Sequence, residues 1–303
     1  MNPAPRHPAA GMALGVLAVA LFGATLPITR WTMGTGSGDA DAPAMSALFI
    51  TFSRVVLAAA VSALCLLALR ARWPTRQEWV PLAVAAAGNA VLYPLSLALA
   101  LREQTAAHVA VITALLPLAT AAAAALAGGA APSTAAGRWR FWLCAVASAI
   151  VVLLFSLQRS GQTFILAADD LIVAGGVLAA AVGYVQGAKV TRAMGAERAI
   201  CWVTLLTLPV SLPITLATWP TGPVSTPAWG GLVYLGLVSM WAAFFAWYRA
   251  LDWGGPLRVS QTQAFQPFFS IALAWPLLGE APDGYTLAFA AAVVALVVVG
   301  TRR

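Results

Sequence analysis

HVAVITALLPLATAAAAALAGGAAP at residues 108–132 and RVSQTQAFQPFFSIALAWPLLGEAP at residues 258–282 are two versions of one pattern. Each is an apolar run with a proline near its middle and a Gly-x-Ala-Pro turn at its end. A shift of 150 residues lays Val109 on Val259, Ala114 on Ala264 and Pro117 on Pro267. The same shift lays Gly129, Ala131 and Pro132 on Gly279, Ala281 and Pro282. Weaker echoes join Gly15-Val16-Leu17-Ala18 to Gly176-Val177-Leu178-Ala179, and Ile28-Thr29-Arg30 to Val190-Thr191-Arg192.

An α-helix needs about 20 apolar residues to cross the hydrocarbon core of a bilayer. Working outward from the two stretches, that rule predicts ten spans: 11–31, 44–69, 79–101, 105–127, 139–157, 171–190, 199–219, 228–250, 256–278 and 285–301. The run at 11–31 is too long for a signal-peptide core and is read as a retained first span. Composition agrees: only 9% of the 303 residues are charged, against about 25% in soluble domains, so a water-facing surface is excluded. All connections are short, so residues 1–303 form one membrane domain, with repeat one at about 11–157 and repeat two at about 171–301. A five-helix repeat is odd-numbered, so the second copy enters the membrane from the other side. That is the inverted-repeat plan of secondary transporters, whose site lies near the midplane between the copies.

The net charge of +7 is a matter of topology, not of a nucleic-acid surface. With a cytoplasmic N-terminus, the inside loops carry Arg6, Arg70, Arg72, Arg76, Arg138, Arg140, Lys189, Arg192, Arg198, Arg249, Arg258, Arg302 and Arg303. The outside set is Arg30, Arg102 and Arg159. This asymmetry predicts both termini inside. Cys65, Cys144 and Cys201 form no CxxC or Cys/His cluster, so no metal, cofactor or disulfide is expected.

Polar residues inside spans usually face the bundle interior or a water-filled cavity. In the third span Asn89, Tyr93, Ser96 and Ala100 share one helical face; in the fourth, Thr113, Pro117 and Thr120; in the ninth, Ser260, Gln263, Pro267 and Ser270, with Gln266 alongside. The eighth carries Trp241, Phe244, Phe245, Trp247 and Tyr248, the sixth Tyr184, and the first Phe22. The candidate substrate-binding set near the midplane is Phe22, Asn89, Tyr93, Thr113, Tyr184, Trp241, Phe245, Gln263 and Gln266. Rings with amide and hydroxyl groups suit a small amphipathic solute. Arg54 joins the set as a charge inside a span. Its partner is a substrate carboxylate, helix-end carbonyls or the outer surface, reached by snorkelling. Pro117 and Pro267 are candidate hinges, and the Thr204, Thr207, Ser211 stripe reads as self-bonded helix structure.

The carboxylates Asp39, Asp41, Glu78, Glu103, Asp169, Asp170, Glu197, Asp252, Glu280 and Asp283 fall in loops or at helix ends. Ion-coupled carriers usually hold their ion on a buried acid, so facilitated diffusion or exchange is expected, with His108 in a structural or rim role. An intramembrane enzyme needs a nucleophile–base pair or metal ligands at depth, and the pattern offers neither. A channel needs a charged ring or a carbonyl filter, which is not visible. One chain holding both repeats is compatible with a working monomer in the bilayer.

These features resemble the drug/metabolite transporter superfamily in its bacterial EamA-type branch. The likeness is carried by 97–132 and 248–282, by Arg54 in Phe52-Ser53-Arg54-Val55, and by the Gly279-Glu280 turn, degenerate as Gly129-Ala130. It implies ten spans in two five-helix repeats, cytoplasmic termini in a bacterial inner membrane, and export of a small molecule. Within the branch the chain is similar to aromatic amino-acid exporters. The alternative is a broad-specificity, proton-coupled drug or metabolite exporter.

Overall fold

A computed structural model describes residues 8–34, 45–127, 135–159, 168–254 and 259–301. Asp39, Asp41, the Gly129–Pro132 turn, Arg258 and both charged termini lie outside the described residues, as do the side chains of Tyr248, Asp252 and Ser260. Among the described residues the helices join end to end into ten rods and no strand occurs. We number them α1 (Pro8–Gly23, Thr25–Thr32), α2 (Ala47–Ala68), α3 (Trp79–Ala85, Ala86–Leu92, Tyr93–Ala100), α4 (Ala106–Thr113, Leu116–Leu126) and α5 (Ala135–Arg159). The second five are α6 (Ala168–Met194), α7 (Ala196–Ala217), α8 (Thr226–Val233, Tyr234–Ala242, Ala243–Gly254), α9 (Ser260–Phe265, Gln266–Leu278) and α10 (Gly284–Thr301). Among the described residues seven helices are long and apolar enough to cross a membrane, and Trp139–Phe155 and Gly284–Gly300 are shorter apolar helices. Large side chains such as Leu64, Leu67, Leu126 and Leu178 point outward, which lipid tolerates and water does not.

Helix starts follow local chemistry. The hydroxyls of Ser46, Thr105 and Ser225 accept from the amides of Phe49, His108 and Ala228, so each first turn has a bonded donor. Prolines explain most interruptions, because a proline cannot donate to the carbonyl four residues back and its ring crowds that carbonyl. Thus α1 breaks at Ala24 ahead of Pro27, α4 at Ala114–Leu115 ahead of Pro117, and α9 begins as a 3-10 segment ahead of Pro267. The π-helical segment Ala86–Leu92 of α3 likewise ends just before Pro94. The carbonyl that Pro27 leaves without its amide, Gly23 O, accepts from the Ser270 hydroxyl at 2.6 Å, which ties α1 to α9. The second π segment, Tyr234–Ala242 of α8, has no such proline.

Contacts between rod ends fix their directions. Arg30 at the end of α1 reaches Gln104 and Glu280, His108 at the start of α4 meets Asp170 of α6, Phe155 near the end of α5 stacks with Tyr285 of α10, and Phe49 of α2 meets Trp219 and Trp229. At the opposite end Trp202 of α7 packs on Trp73 and Trp79, Arg72 pairs with Glu78, and Arg249 with Glu197. Adjacent rods therefore run up and down in alternation between an Arg30 end and an Arg72 end. Arg72 grips Glu78 with both terminal nitrogens, at 2.6 and 2.7 Å; with the Thr75 amide this holds the Glu78 carboxyl well below the usual range.

The principal packings come in related pairs. α1 packs on α8 and α3 on α6; α1 on α9 and α4 on α6; α2 on α8 and α3 on α7. Exchanging α1–α5 with α6–α10 turns each packing into its companion, and α2·α7, α4·α9 and α5·α10 map onto themselves. α3 and α6 approach closely because Gly88 has no side chain: a Cβ there would lie 2.4 Å from the Ala179 carbonyl oxygen. Along α7 the hydroxyls of Thr204, Thr207, Ser211 and Thr215 bond carbonyls three or four residues back, and Thr204 also reaches Ser62 of α2 at 2.8 Å. That stripe is helix structure, as its spacing predicts.

Candidate functional site: a central cavity

A cavity at mid-depth holds about 590 Å³ of atom-free space, its mouth included. α1 supplies Phe22, Thr25 and Leu26; α2 supplies Arg54; α3 supplies Asn89, Tyr93, Pro94 and Leu97; α6 supplies Tyr184. α8 adds Ser239, Met240 and Phe244, and α9 adds Gln263 and Gln266. Seven of the sequence candidates thus share one wall: Phe22, Arg54, Asn89, Tyr93, Tyr184, Gln263 and Gln266. Both π segments border the space, and Ser239 is the position 150 residues after Asn89. A π turn widens the helix and re-aims its side chains, a device frequent at functional sites.

Two smaller pockets adjoin it. One, between α4, α9 and α10, is lined by Thr113, Pro117 and Pro267 and shares Gln263 and Gln266 with the central space. The other, between α3, α6, α7 and α8, includes Val190, Thr191, Ala199 and Ile200 and shares Asn89, Met240 and Phe244. Both extend toward the Arg72 end.

Trp241 and Phe245 do not line the cavity. Their rings pack on each other at 4.4 Å; Trp241 lies against the cluster of Val55, Ala58, Ala90 and Met240, and Phe245 against the cluster around Leu66, Leu82 and Trp202. Depth along the span put Trp241 and Phe245 near the midplane, but the face of α8 that looks into the cavity, beside its π turn, carries Met240 and Phe244. Thr25, Leu26, Pro94, Leu97, Ser239 and Met240 escape the sequence reading. Ser239 has a retrospective signal in its place opposite Asn89 in the repeat; the apolar members have none. Ser239 also bonds Thr25 at 2.7 Å and so joins α8 to α1 beside the cavity.

Arg54 is buried, with 6% of its surface exposed. It neither snorkels outward nor bonds a helix-end carbonyl. Its Nη2 lies 3.7 Å from the Met240 sulfur, a weak acceptor, and its Nε has no partner.

At the Arg30 end described side chains bridge several rods. Arg30 approaches Glu280 at 2.7 Å and donates to the Gln104 carbonyl at 2.8 Å. The Arg30–Glu280 approach is an ion pair without hydrogen-bond alignment at Glu280 Oε1. Glu280 Oε2 accepts from the Ala106 amide at the start of α4, where the helix dipole favours an anion. Gly279 ends α9 in the left-handed region, φ 70°, which turns the chain so that Glu280 meets α4. Burial raises the Glu280 carboxyl above its ordinary range, while Arg30 and the Ala106 and Ala107 amides oppose that rise. Beside this ion pair His108 Nε2 lies 2.8 Å from Asp170 Oδ1, both side chains are buried, and the imidazole packs at a tilt on Phe155. Asp170 lies at a helix end, as expected, but is a buried carboxylate there, and His108 takes a structural place rather than a rim one. Among the described residues no three potential metal ligands gather.

A bundle of apolar rods around a polar-and-aromatic cavity is the architecture of a membrane transporter. The profile of the EamA-like transporter family matches residues 167–301. The chain is 34% identical over 291 residues to an uncharacterised transporter, YdeK, of Bacillus subtilis (strain 168), covering 95% of this chain and 96% of that one. A solved crystal structure 21% identical in sequence superposes with a TM-score of 0.61, covering 97% of this chain and 96% of the other, a likeness of fold. The chain belongs to the EamA-like transporter family, the EamA-type branch of the drug/metabolite transporters. It is a multi-pass membrane protein.

Proposed function

We propose that the protein moves a small neutral amphipathic metabolite, with aromatic amino acids the leading class, across the bacterial inner membrane by alternating access. The observation that carries this reading is the cavity wall: the rings of Phe22, Tyr93, Tyr184 and Phe244 beside the amides of Asn89, Gln263 and Gln266, with no carboxylate among its described lining residues. Rings stack on a planar side chain while amides orient polar groups. A polyamine would require acids there. The absence of an acid at the cavity also supports facilitated diffusion or exchange. In this reading the ten rods are two inverted repeats. The Arg72 end faces the cytoplasm, in keeping with the positive-inside asymmetry, and the described conformation is inward-facing with the Arg30 end shut.

Flux of labelled phenylalanine into proteoliposomes containing the purified protein tests the reading, with threonine and a cationic dye as competitors. Saturable flux blocked by tyrosine and tryptophan is the expected result. Carriage of the dye with no phenylalanine flux sinks the amino-acid assignment. The second reading, proton-coupled export, is favoured by the buried His108–Asp170 pair. Uphill flux driven by a proton gradient alone would decide for it.

Pro117 and Pro267 stand at the breaks of the paired rods α4 and α9, and both line the pocket beside Gln263. We read them as hinges. Replacing either by Ala restores a backbone donor and stiffens the rod. The expected result is a transport rate lowered about tenfold with expression nearly unchanged. Equal loss of expression and rate would make the kinks static.

A further inference from the structure

We propose that Arg54 anchors a carboxylate group of the transported solute, so that the central cavity takes carboxylate-bearing organic molecules and rejects cations of the same shape. The inference rests on reading the cavity as the solute site.

Arg54 contributes the sole formal charge among the described residues that line the cavity and its two neighbouring pockets. It sits on α2 about two turns from the Ser46 cap. A buried guanidinium ordinarily has a carboxylate or several carbonyls around it, because five N–H donors taken out of water must be bonded again. Here its one hydrogen-bond contact is a thioether, and Nε has no acceptor at all. The buried acids at the Arg30 end are committed elsewhere: Asp170 to His108, Glu280 to Arg30 and the Ala106 amide.

An arriving carboxylate supplies what is missing. Its two oxygens match the planar fork of a guanidinium, and the charge-assisted bonds form at a group already largely withdrawn from solvent. A primary ammonium meets the opposite situation. It finds only neutral acceptors, Asn89 Oδ1 among them, which is buried without a partner. It also lies in the field of an uncompensated positive charge. The carboxylate is therefore the required group and the ammonium the tolerated one. An aromatic acid without an amino group should bind, and an amino-acid amide should not.

The experiment is competition against labelled phenylalanine in proteoliposomes of the full-length protein, using 3-phenylpropionate and phenylalaninamide as the matched pair. It is run on the wild type, Arg54→Lys and Arg54→Gln. In the wild type the acid should compete within a few-fold of phenylalanine and the amide at least about tenfold more weakly. Arg54→Gln should erase that preference while leaving thermal stability in detergent close to wild type, and Arg54→Lys should keep part of it. An amide that competes as well as the acid in the wild type overturns the proposal. So does a preference that survives Arg54→Gln. If Arg54→Gln does not fold, the wild-type pair and Arg54→Lys decide alone. If phenylalanine is not carried, the amino-acid reading fails separately. The acid-over-amide preference is then read from the shift in Tm that each compound gives the wild type.

Discussion

Reversing Arg30 or Glu280 singly, Arg30→Glu or Glu280→Arg, is expected to lower solute exchange about tenfold or more, and reversing both together to recover most of it. The two side chains are 15% and 13% exposed and 2.7 Å apart. Removing one member of a fully buried pair costs about 3–5 kcal/mol, and partial exposure here reduces that to about 1–3 kcal/mol, enough to move a two-state equilibrium by one or two decades. Arg30→Glu places two carboxylates together at the start of α4. Glu280→Arg sets a guanidinium beside another, and against the positive end of the α4 dipole. Either change opens the Arg30 end. The double reversal restores the attraction but not the bond to the Gln104 carbonyl or the acceptor for Ala106 N, so recovery should be incomplete. A cysteine introduced at Leu26 in a cysteine-free background reports the same event. Labelling from the Arg30 side should rise in each single variant and fall back in the double. Unchanged exchange and labelling in both single variants would show that the pair is a surface ornament and not a closure.

The second large effect is expected at Gly88. A Cβ at this position would lie 2.4 Å from the Ala179 carbonyl oxygen and 3.2 Å from the Gly183 Cα, both backbone, so no rotamer change relieves the clash. Gly88→Ala must push α3 away from α6, at a cost of about 1–3 kcal/mol, and Gly88→Val should abolish expression of folded protein. The movement also displaces Asn89, whose oxygen would lie 2.7 Å from a Cβ at Gly183. Transport should therefore fall in Gly88→Ala by more than the loss of stability explains. Gly175→Ala is the control. Nothing lies within 4 Å of a Cβ there, and alanine is the better helix former by about 1 kcal/mol, so Tm should hold or rise. Equal Tm for Gly88→Ala and Gly175→Ala would refute the close approach.

The amino-acid sequence by itself determined the material of the fold and much of the cavity wall. Runs of apolar residues at span length leave a chain no stable option but helices in lipid, because each backbone polar group must be bonded within its own helix. The matched prolines at 117 and 267 located the broken rods, since a missing N–H acts locally whatever surrounds it. Phe22, Arg54, Asn89, Tyr93, Tyr184, Gln263 and Gln266 were legible because polar and aromatic groups in a span must face inward, and inward here is one small place. Tertiary structure alone decided which face of α8 looks into that place. Residue count along the span put Trp241 and Phe245 near the midplane but does not say which face of the helix looks inward, and in the structure, where α8 carries a π turn at Tyr234–Ala242 with no proline in the sequence to announce it, the wall is formed by Met240 and Phe244. The ion pair at the Arg30 end was equally out of reach. Arg30 and Glu280 are 250 positions apart, and so are in no local pattern together; they meet only because α1 and α9 end on the same side of the bundle. The burial of Arg54 without an acid was also a tertiary fact, because whether a charge in a span has a partner depends on every other rod.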